Sequence, residues 1–186
     1  MATGVLGLVI AGTMAFFIQS LSTSHMSAGK LLVSRDIRKF TNEMTNEARN
    51  ASRYELFKSF TDRTRISDGF SGDYLVLYYY EDIEDADSIE RIIGYYRSPD
   101  NNGEGPVRKH DSDITGLDSQ NPSALPSHDE INSYPAVVEL ARGLADGNLF
   151  YNFYGRSMMV KGELIHDGRI NKRATNTYNF TVSPRQ

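Results

Sequence analysis

The sequence predicts an α+β fold in which a long, protruding N-terminal α-helix packs on a C-terminal antiparallel β-sheet. Three observations lead to this prediction. Residues 1–29 contain no Asp, Glu, Lys or Arg and are mostly apolar, residues 30–60 repeat apolar side chains every three or four positions, and residues 61–186 carry strand and turn signals. A chain of 186 residues is long enough for one ordinary domain with an appendage.

The composition excludes several classes of protein. The chain has 20 Lys plus Arg against 24 Asp plus Glu and a net charge of -4, whereas a protein that grips nucleic acid phosphates carries a basic excess. It has no cysteine, which excludes thiolate nucleophiles, disulfides and cysteine-ligated metal centres. Because the charge balance is slightly acidic, we expect no nucleic acid partner.

The first element is the half-helix of residues 1–29. Val5–Leu21 is apolar apart from Thr13, Gln19 and Ser20, which reaches the lower limit of the roughly 17–25 residues that a membrane span needs. The pattern therefore predicts burial in a membrane or against other chains. The alternative, a cleaved signal peptide, would show a basic start and a small-residue cleavage site, and neither is present.

The second element is the amphipathic half-helix of residues 30–60. No Pro and no internal Gly interrupts this stretch, so we expect one helix from Met1 to about Lys58, about 87 Å long at ~1.5 Å per residue. Because this length exceeds a small domain, the apolar end must protrude. The side chains predicted to dock the helix on the sheet are Val33, Ile37, Phe40, Met44 and Ala48.

The third element is a globular, β-rich head of residues 61–186. Aromatic and β-branched runs predict strands at 74–80, 89–97, 149–154, 157–166 and 174–183. A short helix is predicted at 136–144 after Pro135, and a turn at Asp167-Gly168 between the last two strands. Residues 98–135, rich in Pro, Gly, Asp, Asn and Ser, predict a long loop.

Adjacent tyrosines mark the first of these predicted strands. Tyr78, Tyr79 and Tyr80 cannot all face one core, because successive strand side chains point to opposite faces of a sheet. Either Tyr79 or the pair that flanks it must meet another surface. A contact between subunits and an ordinary half-exposed strand surface both fit this pattern.

The sequence contains no recognisable catalytic constellation. Its four histidines are scattered without matched metal ligands, and GFSG at Gly69–Gly72 lacks the spacing of a nucleophile elbow. We therefore expect no enzyme activity, no metal and no cofactor. The acidic residues at 81–90 and in the 98–135 loop leave open a calcium site or a cationic partner, beside the simpler interpretation of solvated connections.

The N-terminal sequence MATGVLGLVIAGTMAFFIQSL, its uninterrupted continuation to Phe60 and the later strands resemble the type IV pilin and pseudopilin superfamily. The resemblance implies that a prepilin peptidase removes a leader, that the subunit resides in the inner membrane, and that the pilus assembly machinery adds it to an extracellular helical homopolymer on the cell surface. The family's usual mature start, Phe-Thr-Leu-aliphatic-Glu, is absent. Either Val5 stands at the glutamate position or the sequence starts inside a longer protein, which we favour. The C-terminal disulfide loop of many pilins is absent as well.

The residues predicted to form the filament lie in the first half-helix. Small residues let apolar helices approach closely, and Gly7 and Gly12 also weaken the helix by about 1 kcal/mol each relative to Ala. By resemblance, Gly12–Thr13 is the expected point of local unwinding in a filament. The predicted filament core comprises Val5, Leu6, Leu8, Val9, Ile10, Met14, Phe16, Phe17, Ile18 and Leu21.

These predictions make the chain a structural subunit of a type IV pilus-like filament that polymerises through its N-terminal helix. Two alternatives stay open. One is a minor pseudopilin of a type II secretion system, which has the same fold and a lower abundance. The other is a membrane-anchored periplasmic binding domain that never polymerises.

Overall fold

The computed structural model describes residues 2–80, 89–98, 103–114, 125–167 and 173–184, without the side chains of residues 2–6, 8 and 167. Within these ranges, one α-helix precedes nine strands and a short 3-10 helix at His128–Asn132, which confirms the α+β class. The helix is α1 (Ala2–Asn50), and the strands are β1 (Arg53–Phe57), β2 (Ser71–Gly72), β3 (Tyr74–Tyr80), β4 (Ile89–Arg97), β5 (Gly105–Asp113), β6 (Ala136–Arg142), β7 (Phe150–Phe153), β8 (Ser157–Asp167) and β9 (Arg173–Val182).

Helix α1 ends at Asn50, before the predicted boundary. The N–H of Ala51 still donates to the carbonyl of Glu47 at 3.0 Å, but the N–H of Ser52 donates to the carbonyl of Tyr78 at 2.9 Å. The chain then continues as β1, antiparallel to β3. The predicted helix beyond Asn50 is therefore wrong, because pairing with an aromatic strand overrides the local helix propensity of the RYELF segment.

The nine strands form one antiparallel sheet. Eight of them follow the order β1-β3-β4-β5-β6-β8-β7-β2, and β9 pairs with β8 beside that path. The two ends of the path approach each other, since the N–H of Asp73 after β2 donates to the carbonyl of Lys58 after β1 at 3.0 Å. The sheet therefore curls into a near-barrel, and the second half of α1 packs against it.

The predicted strands of the head agree closely with β3, β4, β7, β8 and β9, whereas the region between β4 and β7 differs from the prediction. The predicted 98–135 loop contains β5, which pairs with β4 from Val107 to Asp113. The helix predicted at 136–144 is wrong, because Ala136–Arg142 is strand β6 between β5 and β8. Sheet pairing accounts for both differences, since neither segment shows strand alternation by itself. The Asp167-Gly168 turn lies outside the described residues.

The main core lies between α1 and the sheet. Val33, Phe40, Met44 and Ala48 are buried there, and Ile37 packs against them. The ring of Phe40 meets the ring of Tyr178 edge-on at 5.7 Å between centroids. Helix positions spaced by three or four therefore hold α1 against the sheet, as the amphipathic pattern requires.

A second core covers the opposite face of the sheet, where β1, β3 and β4 meet. It buries Phe60, Tyr74 and Tyr96, and Tyr78 and Tyr80 pack against it. Residues 57–60 and 125–134 of the same chain cover this face. Tyr79 points the other way and donates its hydroxyl to the carbonyl of Glu47 on α1 at 2.8 Å. The tyrosine triplet therefore meets two intramolecular cores, and it requires no subunit contact.

Two buried rings lie directly over glycines of neighbouring strands. A Cβ on Gly94 would come within 1.8 Å of His110 Nε2, and a Cβ on Gly162 would come within 2.6 Å of the Tyr178 hydroxyl. Both glycines sit opposite the ring-bearing residue in the strand register. The missing side chains give these rings the space to lie flat on the sheet.

Candidate assembly surface

The first half of α1 extends beyond the sheet. From Val9 to Ala28 every residue is exposed except Ser22, which is half-exposed, and the stretch carries no Asp, Glu, Lys or Arg. We call residues 9–28 the projecting half. Its exposed large hydrophobic side chains are Val9, Ile10, Met14, Phe16, Phe17, Ile18, Leu21 and Met26. Exposed large apolar side chains grouped on one segment make that segment a candidate interaction site.

The predicted filament-core residues from Val9 to Leu21 all lie on this surface. Phe16 exposes 74% of its surface and Ile18 exposes 67%, although both are large apolar residues. Val5, Leu6 and Leu8 lie on the same helix, but their side chains are outside the described part of the chain. The two sets of predicted residues are thus separated along one helix: the docking set is buried or packed against the core, and the filament-set residues from Val9 to Leu21 are exposed.

The predicted weak points of the helix are regular in this structure. α1 is continuous through Gly7 and Gly12, and a Cβ at either position would have no neighbour within 4 Å. The Thr13 hydroxyl lies 3.0 Å from the carbonyl of Val9 and 2.9 Å from that of Ile10, so it donates back to the preceding turn. The helix of this single chain is therefore not unwound at Gly12–Thr13.

The predicted membrane stage is not supported. Among the described residues, no helix combines the length and the apolar character needed to cross a bilayer. The prediction that the chain resides in the inner membrane before it enters an extracellular filament is therefore wrong. The physical reason is length: among the described side chains the apolar stretch from Val9 ends at Leu21 and polar residues 22–25 follow it, which is shorter than the roughly 17–25 residues of a membrane span.

Helix α1 leaves the sheet at Gly29. A Cβ on Gly29 would lie only 3.1 Å from the Cβ of Ala174 on β9, so a larger side chain would push the helix away from the strand. One turn further on, the amide of Asn176 lies 3.5 Å from the Ser34 hydroxyl. These close contacts define the end of the head from which the projecting half emerges.

Charged groups fasten the other end of α1 to the sheet. Lys109 on β5 reaches Glu43 at 3.0 Å and Glu47 at 3.1 Å. Partial burial opposes the charge on Lys109, but its hydrogen bonds with Glu43 and Glu47 outweigh this effect and raise its pKa. Arg91 on β4 pairs with Asp111 at 2.6 Å, and this hydrogen bond lowers the pKa of Asp111. The helix is therefore held by ion pairs as well as by apolar contact.

A buried ion pair joins three segments of the head. Arg97 at the end of β4 donates to the carboxylate of Asp73 at 2.6 Å, and also to the carbonyls of Gly103 and Gly147. The other oxygen of Asp73 accepts the N–H of Leu149 at 2.9 Å. The pair is nearly inaccessible to solvent, yet its hydrogen-bonding groups are paired with neighbours, which makes it a structural junction.

Several of the acidic residues considered for calcium are paired with basic side chains, and others lie outside the described chain. Asp100 and residues 81–88 are outside it. Glu104 pairs with Arg173 at 3.1 Å, and Asp111 is held by Arg91. Among the described residues, no group of three or more His, Asp or Glu side chains is placed to hold a metal ion.

A second exposed apolar surface, which sequence reasoning missed, lies where β7 turns into β8. Phe153 and Tyr154 are exposed, with their rings in edge contact at 5.4 Å between centroids, and Phe70 is exposed on the adjoining segment. The N–H of Asn152 donates to the carbonyl of Phe70 at 2.9 Å, which holds the two segments side by side. We call Phe70, Phe153 and Tyr154 the tip patch.

Tyr154 has an unusual backbone conformation. Its φ angle is 55°, in the left-handed region that costs a residue with a Cβ about 1–2 kcal/mol. The Gly155 that follows it also has positive φ, and its N–H donates to the side-chain oxygen of Asn152 at 3.1 Å. The Tyr154-Gly155 pair between two predicted strands indicates a turn in the sequence. The exposure of the aromatic rings at this turn depends on the fold, so the sequence does not show it.

No protein-family model, no curated protein and no solved structure matches this chain. The fold and the exposed surfaces define an α+β protein with a projecting, uncharged half-helix at one end and an aromatic tip patch on its head.

Proposed function

We propose that this chain is a structural subunit that polymerises through the projecting half of α1 into a type IV pilin-like filament and catalyses no reaction. The observation that carries the proposal is the exposure of large apolar side chains from Val9 to Leu21 on a helix with no charged residue before Lys30. We infer that residues 1–29 are the apolar, filament-forming half of the fold.

The distribution of these side chains around the helix favours a bundle over a simple pair. Phe16, Phe17 and Ile18 are consecutive, so they point in directions about 100° apart, and all three are exposed. One neighbouring helix covers only one side of α1. A helix that is apolar on several sides is stable when it is surrounded, which is its environment at the axis of a helical polymer.

The energetics support association of several copies. Full burial of a Val, Leu, Ile, Phe or Met side chain contributes about 1.5–3 kcal/mol. The projecting half offers a series of such side chains with half or more of their surface exposed. Association costs an estimated 4–15 kcal/mol in lost freedom of movement, so the burial of several of these side chains at once is needed to offset this cost.

The helix sequence also permits close packing. Ala11, Gly12 and Ala15 are exposed between the larger residues, and small side chains allow helix backbones to approach one another. The head should remain folded while the projecting half associates, because the helix residues buried in its core, from Val33 onward, lie outside the projecting half. A minor pseudopilin would use the same surface, and its lower abundance in a sheared filament fraction would distinguish it.

The test introduces a charge into the projecting half of the full chain. Val9→Glu should abolish polymers in pelleting assays and in negative-stain electron microscopy, because a carboxylate in the bundle would lose its water without a partner. Circular dichroism should show a folded head, since Val9 lies outside the hydrophobic core and exposes 57% of its surface.

Asn42→Glu is the matched control, because it places the same charge on an exposed position of the docked half of α1. This variant should polymerise like the wild type, and cryo-electron microscopy of its filaments should show N-terminal helices bundled at the axis. Polymers of Val9→Glu, or the absence of polymers from the wild-type chain, would refute the proposal.

A further inference from the structure

Residues 125–134 cover the second core of the sheet, and we call this segment the strap. Beneath it lie four rings that are almost completely inaccessible to solvent, those of Phe60, Tyr74, Tyr96 and His110. The strap itself is thinly packed, because Pro126 is its only buried residue, while Ile131 and Tyr134 are half-buried. A fully buried aromatic layer is thus closed by a segment that has few buried contacts of its own.

Side chains of the sheet, rather than a backbone ladder, hold the strap in place. The Tyr96 hydroxyl donates to the carbonyl of Ile131 at 2.7 Å, and the Arg108 guanidinium donates to the carbonyl of Tyr134 at 2.5 Å. Among the residues that the structure describes, every backbone–backbone hydrogen bond formed by the strap lies within the strap itself. A segment held in this way opens at a lower free energy than the paired strands beneath it.

His110 lies directly under the strap with one ring nitrogen unsatisfied. Its ring centroid is 5.6 Å from that of Tyr134, and its Nε2 atom is 2.9 Å from the Tyr74 hydroxyl. Its Nδ1 atom is buried without a hydrogen-bond partner. A protonated imidazole carries N–H donors on both nitrogens, so the closed strap leaves one donor of the imidazolium and its charge without water.

The groups that face His110 from the sheet offer no negative charge. Arg63, in the segment after β1, acts on it together with burial, and both lower its pKa, burial more strongly. Arg108 projects from the same face of β5, because alternate strand side chains share a face. From β3 and β4 the facing groups are the hydroxyls of Tyr74 and Tyr96, and burial raises the pKa of both, so they stay neutral.

The carboxylates nearest to His110 are engaged elsewhere. Glu130 of the strap accepts hydrogen bonds from within the strap. Asp111 follows His110 on β5, so it points to the opposite face of the sheet, where it pairs with an arginine of β4. The other charged or titratable residues of the strap, His128 and Asp129, are exposed. No carboxylate therefore offsets a positive charge beneath the closed strap among the described residues.

We propose that the strap is an acid-sensitive cover, which opens when His110 is protonated and uncovers the aromatic face of the second core while the sheet stays paired. Opening admits water to His110. The open form then binds the proton near the ordinary pKa of about 6.5, whereas the closed form binds it only near pH 4. Protonation therefore favours the open form, and the ratio of open to closed should rise about 20-fold from pH 7 to 5. This inference does not depend on polymerisation.

Hydrogen–deuterium exchange of the full chain, followed by mass spectrometry, measures this opening. The helix His128–Asn132 is too short to persist apart from the sheet, so the strap amides exchange when the strap opens. Their protection factors, which exclude the intrinsic effect of pH on exchange, should fall about 20-fold from pH 7 to 5. At both pH values they should be at least tenfold below those of β8, which is paired on both sides. Equal protection in the strap and β8 would overturn the proposal, because the strap would then open only with the whole head.

Histidine variants identify the group that responds to acid. His110→Gln should remove the fall in strap protection between pH 7 and 5, because the side chain no longer takes up a proton. His128→Gln is the matched control, since His128 lies on the strap itself but is exposed, and it should retain the wild-type fall. A fall in His110→Gln as large as in the wild type, or its loss in His128→Gln, would contradict the role of His110.

A third pair of variants tests how the strap is held, without changing any histidine. Tyr96→Phe removes the hydroxyl that donates to the Ile131 carbonyl, so strap protection at pH 7 should fall about 2- to 10-fold. Tyr79→Phe is the matched control, because it removes a similar bond to the carbonyl of Glu47 on the other face of the sheet. Unchanged strap protection in Tyr96→Phe, or an equal fall in Tyr79→Phe, would overturn the proposal.

Discussion

The two halves of α1 carry similar apolar residues in opposite environments. In the docked half, Phe40 and Met44 are almost completely buried against the sheet, whereas Phe16 and Met14 in the projecting half expose about two-thirds or more of their surface. The halves also differ in charge, because every Lys, Arg, Asp and Glu of the helix lies at or after Lys30. One helix thus combines a buried, charged half with an exposed half that carries no Asp, Glu, Lys or Arg.

This difference shows how charge directs the halves to different partners. The docked half uses Glu43 and Glu47 to reach Lys109, so its polar face is matched to this particular sheet. The projecting half has no charge that would select a partner or that would have to be desolvated. Such a surface suits contact with identical surfaces, where shape and apolar area decide the packing.

The largest expected difference in stability between the two halves comes from truncating one phenylalanine in each half. Phe40→Ala should destabilise the head by about 3–5 kcal/mol, because it opens a cavity among Tyr95, Tyr178 and Phe180. Phe16→Ala should change the free energy of unfolding by less than about 0.5 kcal/mol and should weaken polymerisation. Urea unfolding followed by near-ultraviolet circular dichroism measures the first effect, and pelleting measures the second.

A different result for these two variants would contradict the contrast between the two halves of α1. Equal losses of head stability in Phe16→Ala and Phe40→Ala would mean that the projecting half packs on the head in solution. In that case the exposure of Val9 to Ala28 would not describe the free chain, and the assembly surface would have to be sought elsewhere.

The sequence predicts the helix and most strands because their patterns are local. The run Tyr74–Tyr80 is β3 and the run Ile89–Arg97 is β4, residue for residue. The docking positions on α1 follow from helical spacing, and the uncharged first half is visible in the composition. These features follow from the periodicity of side chains within a single segment, so they can be predicted without knowing which other segments it contacts.

The remaining features depend on pairing between distant segments. β5 was hidden in the 98–135 stretch, because Gly105–Asp113 has a weak pattern and becomes a strand by pairing with β4. The second core brings residues 57–60 and 125–134 together on one face. The tip patch depends on the pairing of Phe70 with the end of β7. No local signal contains these long-range contacts.

Acid should destabilise the head through the buried side chain of His110. His110 is buried beneath Tyr74, which lies 2.9 Å from its Nε2 atom, and its Nδ1 atom is buried without a hydrogen-bond partner. Burial, with a smaller contribution from Arg63, lowers the pKa of His110 from 6.5 to about 4. The unfolded chain therefore takes up a proton near pH 6.5, whereas the folded chain takes it up only near pH 4.

Stability from this group should be complete above pH 6.5 and should fall by about 3 kcal/mol as the pH drops to 4. Urea unfolding of wild type and of His110→Gln from pH 7 to 4 isolates the effect, because other groups contribute equally to both chains. His166→Gln on β8 is the control for a half-exposed histidine. A slope with pH that is the same in wild type and in His110→Gln would contradict this account.

The smallest expected effect concerns the ion pairs that fasten the docked half. Lys109→Met should destabilise the head by about 1 kcal/mol, because it leaves Glu43 and Glu47 close together without their shared cation, while both carboxylates keep access to water. Arg35→Met is the control on the same helix, since the pair of Arg35 with Asp36 is exposed and should contribute almost nothing.

Salt distinguishes the two contributions that hold the helix. Screening at 1 M NaCl should shrink the difference in unfolding free energy between wild type and Lys109→Met, whereas the loss in Phe40→Ala should persist. Polymerisation through the uncharged projecting half should be maintained or strengthened under the same conditions, because no charge is screened there. A helix whose docked half responds to salt and whose projecting half does not would show that its two interfaces are formed by different forces.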